Sequence, residues 1–368
     1  MFAERVERVR SRMETLGVDV LLLSVGPELP YLTGYEAMPL ERLTMFVLEA
    51  DGPGMLLIPE LEAPRVHERP DVFDLVPWGE TEDPVAVVAD RIAGAPVAAI
   101  GDRTWARFLV DLHHACPSTE FRRATPVVGP VREVKDPAEI RALRAAGAAA
   151  DRVARQLQGG EIPLRGRTEA EVSADLGRRL IAEGHHRVNF ALVAAGANAS
   201  SPHHEPGDHV IEEGEAVFCD FGGTMRGPGG VGYCSDMTRV VGVGSVPDDL
   251  RRAYGSLRAA QAAAVASATV GATCDSVDRV ARQALADDGW GEWFIHRTGH
   301  GIGIEEHEDP YIVEGNTAPL APGNAFSVEP GVYLPGEWGI RLEDIVIATD
   351  GGPVACNEAS HDLVVVDA

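Results

Sequence analysis

Five residues in the last third of the chain have the types and surroundings that metal chemistry needs: Asp220, Asp236, His300, Glu329 and Glu343. They stand in short apolar segments with interspersed Gly or Pro: VFCDFGG, YCSDMTRVVGV, HRTGHGIG, FSVEPGVY and GIRLEDIVIA. Burying an unpaired carboxylate in such a segment is costly, so several placed this way imply a shared cation. Four carboxylates and one imidazole make an oxygen-rich ligand set that suits manganese, iron, cobalt or zinc better than copper. Two divalent ions would match the four carboxylates and leave room for one hydroxide. Ions about 3.5–4 Å apart can generate hydroxide at neutral pH and polarise a carbonyl or phosphoryl oxygen. The chemistry implied is metal-assisted hydrolysis.

Such a constellation needs strands to hold it. Asp220 and Asp236 flank one turn-rich segment, and Glu329 and Glu343 flank another. Each pair is expected on adjacent antiparallel strands, which brings residues distant in sequence within a few ångströms. Upstream, residues 2–16 have the spacing of an amphipathic helix, followed by a buried strand, VDVLLLSV. TMFVLEA and MLLIPE around DGPG read as a β-hairpin. VAAIGD reads as a further buried strand, with a helix in FLVDLHHA beside it. The proline-rich stretch ATPVVGPVREVKDP reads as a linker, which gives an α/β domain over residues 1–130 and a second, α+β domain over 131–368. Asp136, Pro137 and Glu139 form a helix start at that boundary. Helices are expected over 137–157 and 168–183, the second opened by a Thr168–Glu171 capping box. A third helical region runs from residue 248 to 286 and breaks near Gly271.

Composition narrows the function classes. With 45% hydrophobic and 24% charged residues the chain has the make-up of a globular protein with a large core. A formal charge of -25 argues against nucleic acid as a partner, because a polyanion needs clustered Lys and Arg. Lys135 is the only lysine, a bias read as codon usage rather than function. The five cysteines are scattered without C-x-x-C spacing, which disfavours a disulfide framework or zinc ribbon. No run is long enough for a membrane span and the N-terminus lacks a secretory pattern, so the expected location is cytoplasmic. GHGIG lacks the Lys and following helix of a phosphate loop. His204 and His209 read as surface residues, and His185 and His186 as helix-end residues.

In order along the chain, PHHEPGD, CDFGG, GYCSDMTR, HRTGHGIGIEEHEDP, LAPGNAFSVEPGVY and GIRLEDIVI resemble the motifs of the pita-bread metallopeptidases. That family includes Xaa-Pro aminopeptidases, Xaa-Pro dipeptidases (prolidases) and methionine aminopeptidases. YLTGY and VREVKDPAEI resemble the creatinase-type N-terminal domain, which methionine aminopeptidases usually lack. The resemblance implies a C-terminal domain with a pseudo-twofold antiparallel sheet. It also implies a dinuclear centre of two divalent ions, manganese first with cobalt, zinc or iron as alternatives, and a homodimer. Its ligands would be Asp220, Asp236, His300, Glu329 and Glu343, with Asp236 and Glu343 bridging and Glu329 also carrying protons. His203 and His307 would orient substrate and stabilise the tetrahedral intermediate, His296 would line the substrate pocket, and Arg341 would organise a ligand carboxylate. Asp220 and Asp236 stand further apart than the family's aspartates, a difference read as a longer hairpin loop that preserves both ends.

The substrate implied is a peptide with proline in second position. Prolidases often carry an arginine shortly after the histidine that matches His307, where it can grip a dipeptide's carboxylate; here that position is Tyr311. The sequence therefore favours an Xaa-Pro aminopeptidase, with an Xaa-Pro dipeptidase as the alternative. A small-molecule amidohydrolase or a non-catalytic interaction protein on the same fold would be more distant readings.

Overall fold

A computed structural model describes residues 1–367. The chain divides into two compact units, Met1–Arg132 with Gly229–Val231, and Glu133–Pro228 with Gly232–Ala368.

The first unit carries helices α1 (Phe2–Leu16), α2 (Glu28–Thr33), α3 (Pro84–Arg91), α4 (Ala106–Ala115) and α5 (Thr125–Glu133, which ends one residue into the second unit). Its strands are β1 (Val20–Leu23), β2 (Met45–Glu49), β3 (Gly54–Pro59), β4 (Phe73–Trp78), β5 (Val97–Ile100) and β6 (Glu120–Arg123), in the order β4-β3-β2-β1-β5-β6. The β2–β3 hairpin is antiparallel with Met45 opposite Leu57, whereas β1–β5 and β5–β6 are parallel. Every residue of β1 is buried, which explains why its sequence is a continuous apolar run rather than an alternation. The stretch read as a linker is instead helical over α5. Its prolines did not exclude a helix, because Pro126 lies in the first turn and the apolar Val127, Val128 and Val131 are buried.

The second unit opens with α6 (Pro137–Gln158) and α7 (Glu169–Ala182). Both begin with complete capping boxes, Asp136 with Glu139 and Thr168 with Glu171. Then come β7 (Arg187–Ala195), β8 (Ala216–Arg226), β9 (Gly232–Cys234), β10 (Met237–Val243), α8 (Asp248–Ser267) and α9 (Cys274–Asp287). The remaining strands are β11 (Gly299–Gly301), β12 (Glu308–Ile312), β13 (Ala325–Val328), β14 (Gly331–Leu334), β15 (Trp338–Arg341), β16 (Asp344–Ile347), β17 (Val354–Ala355) and β18 (Val364–Val366). One sheet runs β18-β10-β8-β7 with β9 on the end of β8, another runs β12-β11-β13-β16-β17, and β14–β15 form a hairpin. The two larger sheets repeat one device: an antiparallel pair, β8–β10 or β13–β16, whose connection extends as a further hairpin. This is the pseudo-twofold pita-bread arrangement. Arg239, fully buried on β10, ties the halves together by donating to the Glu343 carbonyl at 2.6 Å and to Asp344 Oδ1 at 2.7 Å.

Candidate metal centre

The pairing registers bring the five sequence-predicted ligands together. On β8, Asp220 lies opposite Thr238 of β10, and Asp236 precedes that strand directly. The longer connection between the aspartates is absorbed by β9, whose Cys234 pairs with Thr224 of β8, so no register slip reaches Asp236. In the other half Val328 pairs with Asp344, which sets Glu329 and Glu343 side by side at the ends of β13 and β16. His300 is the middle residue of β11, which pairs with β13 through Gly301 and Phe326. The neighbouring Gly299 has no room for a side chain, since a Cβ there would fall 1.8 Å from the Ser327 carbonyl oxygen. The glycines of GHGIG thus serve close strand packing.

Asp220, Asp236, His300 and Glu343 are buried, with Glu329 half-buried. One potential ligand atom from each of Asp236, His300 and Glu343 falls within 4.8 Å of the others. His300 Nδ1–H donates to the Gly301 carbonyl at 3.1 Å, which turns Nε2 toward Glu329 Oε1 at 3.1 Å and Asp236 Oδ2 at 3.8 Å. That is the tautomer-fixing arrangement a metal-bound imidazole needs. The side chains fit divalent metal on three further counts. Asp220 Oδ1 is buried without a hydrogen-bond partner among the described residues. Burial, and then repulsion from Glu343, Asp220 and Glu329, pushes the Asp236 pKa well above the usual carboxylate range. Burial, with Glu329 and Asp220, does the same to Glu343. A cluster of carboxylates that resists its own ionisation is one that a cation would stabilise. Glu329 differs: burial opposes its charge, but the bond to His300 and the positive charge offered by His300, His296 and Arg341 together outweigh that and hold its pKa low.

Arg341 organises the wall of the site. Its guanidinium bonds Asp220 Oδ2 and donates to Thr238 Oγ1 at 3.1 Å, to Tyr333 Oη at 2.9 Å and to the Pro202 carbonyl at 3.3 Å. The last bond anchors the residue just before His203. The Tyr333 hydroxyl donates to His296 Nε2 at 3.0 Å, and His296 Nδ1–H donates to the Arg297 carbonyl at 2.7 Å. Both nitrogens of His296 are therefore engaged, and burial pushes its pKa down to about 4. His307 keeps an exposed edge, its ring centred 3.9 Å from that of His300. Partial burial, then His300 and Arg297, pushes its pKa down to about 4 as well. A guanidinium N–H of Arg297 donates to His307 Nδ1 at 3.4 Å, which leaves the proton of the neutral ring on Nε2. His203 is exposed on a loop, close enough to His307 to disfavour its protonation.

Several working residues were not singled out in the sequence. Thr238 Oγ1 donates to Glu343 Oε2 at 2.7 Å, and Ser327 Oγ to Glu329 Oε1 at 3.0 Å. His204, read as a surface residue, instead donates to the fully buried Glu169 at 2.7 Å. Glu169 also accepts from the backbone N–H groups of Ala195 and Gly207 and from Asn198 Nδ2, so it clamps the loop that carries His203. Lys135, discounted as codon bias, is buried and ion-paired at 2.7 Å with Glu308, the residue after His307. His185 does bond the end of α7, through the Leu180 carbonyl at 3.1 Å, and its other nitrogen meets Ser235 at 2.8 Å.

Fold and site together define a metallopeptidase, and the chain belongs to metallopeptidase family M24, whose model matches residues 141–350. The Creatinase/Prolidase N-terminal domain matches residues 5–134. The crystal structure of dipeptidase PepE from Mycobacterium ulcerans is similar to this chain at 40% identity with a TM-score of 0.90, covering 99% of this chain and 98% of that one. A recombinant prolidase from Thermococcus sibiricus is similar at 30% identity with a TM-score of 0.92, covering 100% and 99%. The Xaa-Pro dipeptidase of Lactobacillus delbrueckii subsp. lactis is 33% identical over 98% of both chains. Among the described residues no helix is long and apolar enough to cross a membrane.

Proposed function

We propose that this metallopeptidase is an Xaa-Pro dipeptidase that works with two divalent ions, manganese first among them, held by Asp220, Asp236, His300, Glu329 and Glu343. The observation that carries this reading is the full-length similarity to proteins named dipeptidase or prolidase, joined to a buried carboxylate cluster fit for metal. It reverses the preference for an aminopeptidase, which rested on Tyr311 alone. The catalytic work belongs to the 131–368 domain, with the first 130 residues as its creatinase-like companion, in a cytoplasmic homodimer.

When bound, the ions would supply Lewis acidity at the scissile carbonyl and lower the pKa of a water molecule. Arg341 and Thr238 hold Asp220 and Glu343 in place for that ligation. Ser327 Oγ donates to one oxygen of Glu329, leaving the other to carry a proton. An Xaa-Pro bond is a tertiary amide whose nitrogen has no hydrogen of its own, so cleavage requires such a proton at the leaving nitrogen. Neutral His307, protonated on Nε2, and His203 beside it offer hydrogen bonds to the oxygen that gains negative charge.

The test is turnover by the manganese-loaded protein of Ala-Pro, Ala-Pro-Ala and Ala-Ala. The expected order places Ala-Pro far ahead; faster cleavage of Ala-Pro-Ala would return the function to an aminopeptidase.

A further inference from the structure

We propose that Arg297 is the residue that grips the free carboxylate of the dipeptide. This inference rests on the dipeptidase reading and assigns the carboxylate subsite within it.

Arg297 follows His296 and is half-buried. Its guanidinium carbon lies 4.5 Å from the centre of the Tyr311 ring, and one N–H reaches His307 Nδ1. Arginines on the adjacent helix α9 are neutralised by their own acids, Arg279 by Asp275 at 2.5 Å and Arg282 by Asp278 at 2.6 Å. Arg297 forms no ion pair with any carboxylate among the described residues. Its charge is therefore left for an anion from outside the protein.

Stacking and the bond to His307 hold the fork while leaving most of its five donors open, and a planar fork matches a carboxylate with two parallel bonds. Tyr311, on β12, therefore stands as the platform for an arginine brought from the loop before β11. The position is also right for chemistry. The guanidinium lies one imidazole ring beyond His300, because His307 is in contact with both. In Xaa-Pro the carboxylate is only a few bonds from the scissile amide, so a cation this close to the metal ligands suits the end of a dipeptide. A longer peptide would present a neutral amide there and leave the guanidinium without an anion, which turns the contact into a preference for dipeptides.

The test compares kcat and KM of manganese-loaded wild type, Arg297→Met and Arg297→Lys on Ala-Pro, Ala-Pro-NH2 and Ala-Pro-Ala. Loss of a bidentate charged contact should raise KM for Ala-Pro about 10–100-fold more than KM for Ala-Pro-NH2. Arg297→Lys should recover part of that discrimination. If wild type prefers Ala-Pro and Arg297→Met keeps the same ratio of Ala-Pro to Ala-Pro-NH2, the assignment of Arg297 is overturned and the dipeptidase reading stands. An equal fall on all substrates would indicate a purely structural role and overturn it too. A wild type that prefers Ala-Pro-Ala would overturn the dipeptidase reading and this assignment together.

Discussion

At the scale of single residues, the site separates carboxylates that resist ionisation from one that accepts it. Asp236 and Glu343 are pushed up by burial and repulsion from neighbouring carboxylates, whereas for Glu329 burial is outweighed by His300, His296 and Arg341 together. The proposed role of Glu329 as proton carrier is open to direct test. Glu329→Gln should lower kcat on Ala-Pro about 10²–10⁴-fold, the range for loss of a general acid–base, with a smaller change in KM. Steady-state kinetics of the metal-loaded variant would check this. All five proposed ligands could be picked out from residue type and local apolar context. Their supports Thr238, Ser327 and Tyr333 could not, because a hydroxyl residue in a strand has no distinguishing pattern until pairing sets Thr238 opposite Asp220. Arg297 was hidden for a similar reason. Tyr311 was read as the loss of an arginine, and only three dimensions place another arginine on its ring.

At the scale of elements, close strand packing and one buried acid set the geometry. Gly299→Ala would push a methyl group into the Ser327 carbonyl, separate β11 from β13 and displace His300. The expected cost is about 1–3 kcal/mol or more, with weaker metal retention, measured by denaturant unfolding and metal analysis. Glu169 makes the loop of His203 pH-sensitive. Burial disfavours its charge, but donors from Ala195, His204, Asn198 and Gly207 outweigh this and lower its pKa below 4.5. A lowered carboxylate pKa contributes stability that is present above 4.5 and lost as pH falls through the lowered value. Glu169→Gln should therefore be about 1–3 kcal/mol less stable than wild type at neutral pH, the gap closing in acid, as denaturant titrations across pH would reveal. Helix starts were legible because capping chemistry is local: Asp136 and Thr168 cap α6 and α7 as expected. The helix α5 was not, because prolines in its first turn and at Pro130 resemble a linker while the burial of its valines depends on distant packing.

At the scale of the whole molecule, the charge of -25 and the carboxylate centre act in the same direction. Both favour bound cations, and a ligand that binds only the folded state stabilises it by about 2.7 kcal/mol at a hundred times its dissociation constant. The alternation of helices and strands and the paired hairpins follow from patterns visible in the chain. The placement of Arg297 on Tyr311, on which the proposed choice of a dipeptide turns, does not, because the two residues meet only in the folded chain. The most direct measurement of the central claim is to strip the protein with chelator, titrate Mn²⁺ and record bound metal, thermal midpoint and Ala-Pro hydrolysis together, with Asp236→Asn as the control. The account predicts two equivalents bound per chain, a raised midpoint and hydrolysis that appears with metal, all diminished in Asp236→Asn. Ala-Pro hydrolysis in the stripped protein, or wild-type metal uptake no greater than that of Asp236→Asn, would contradict it.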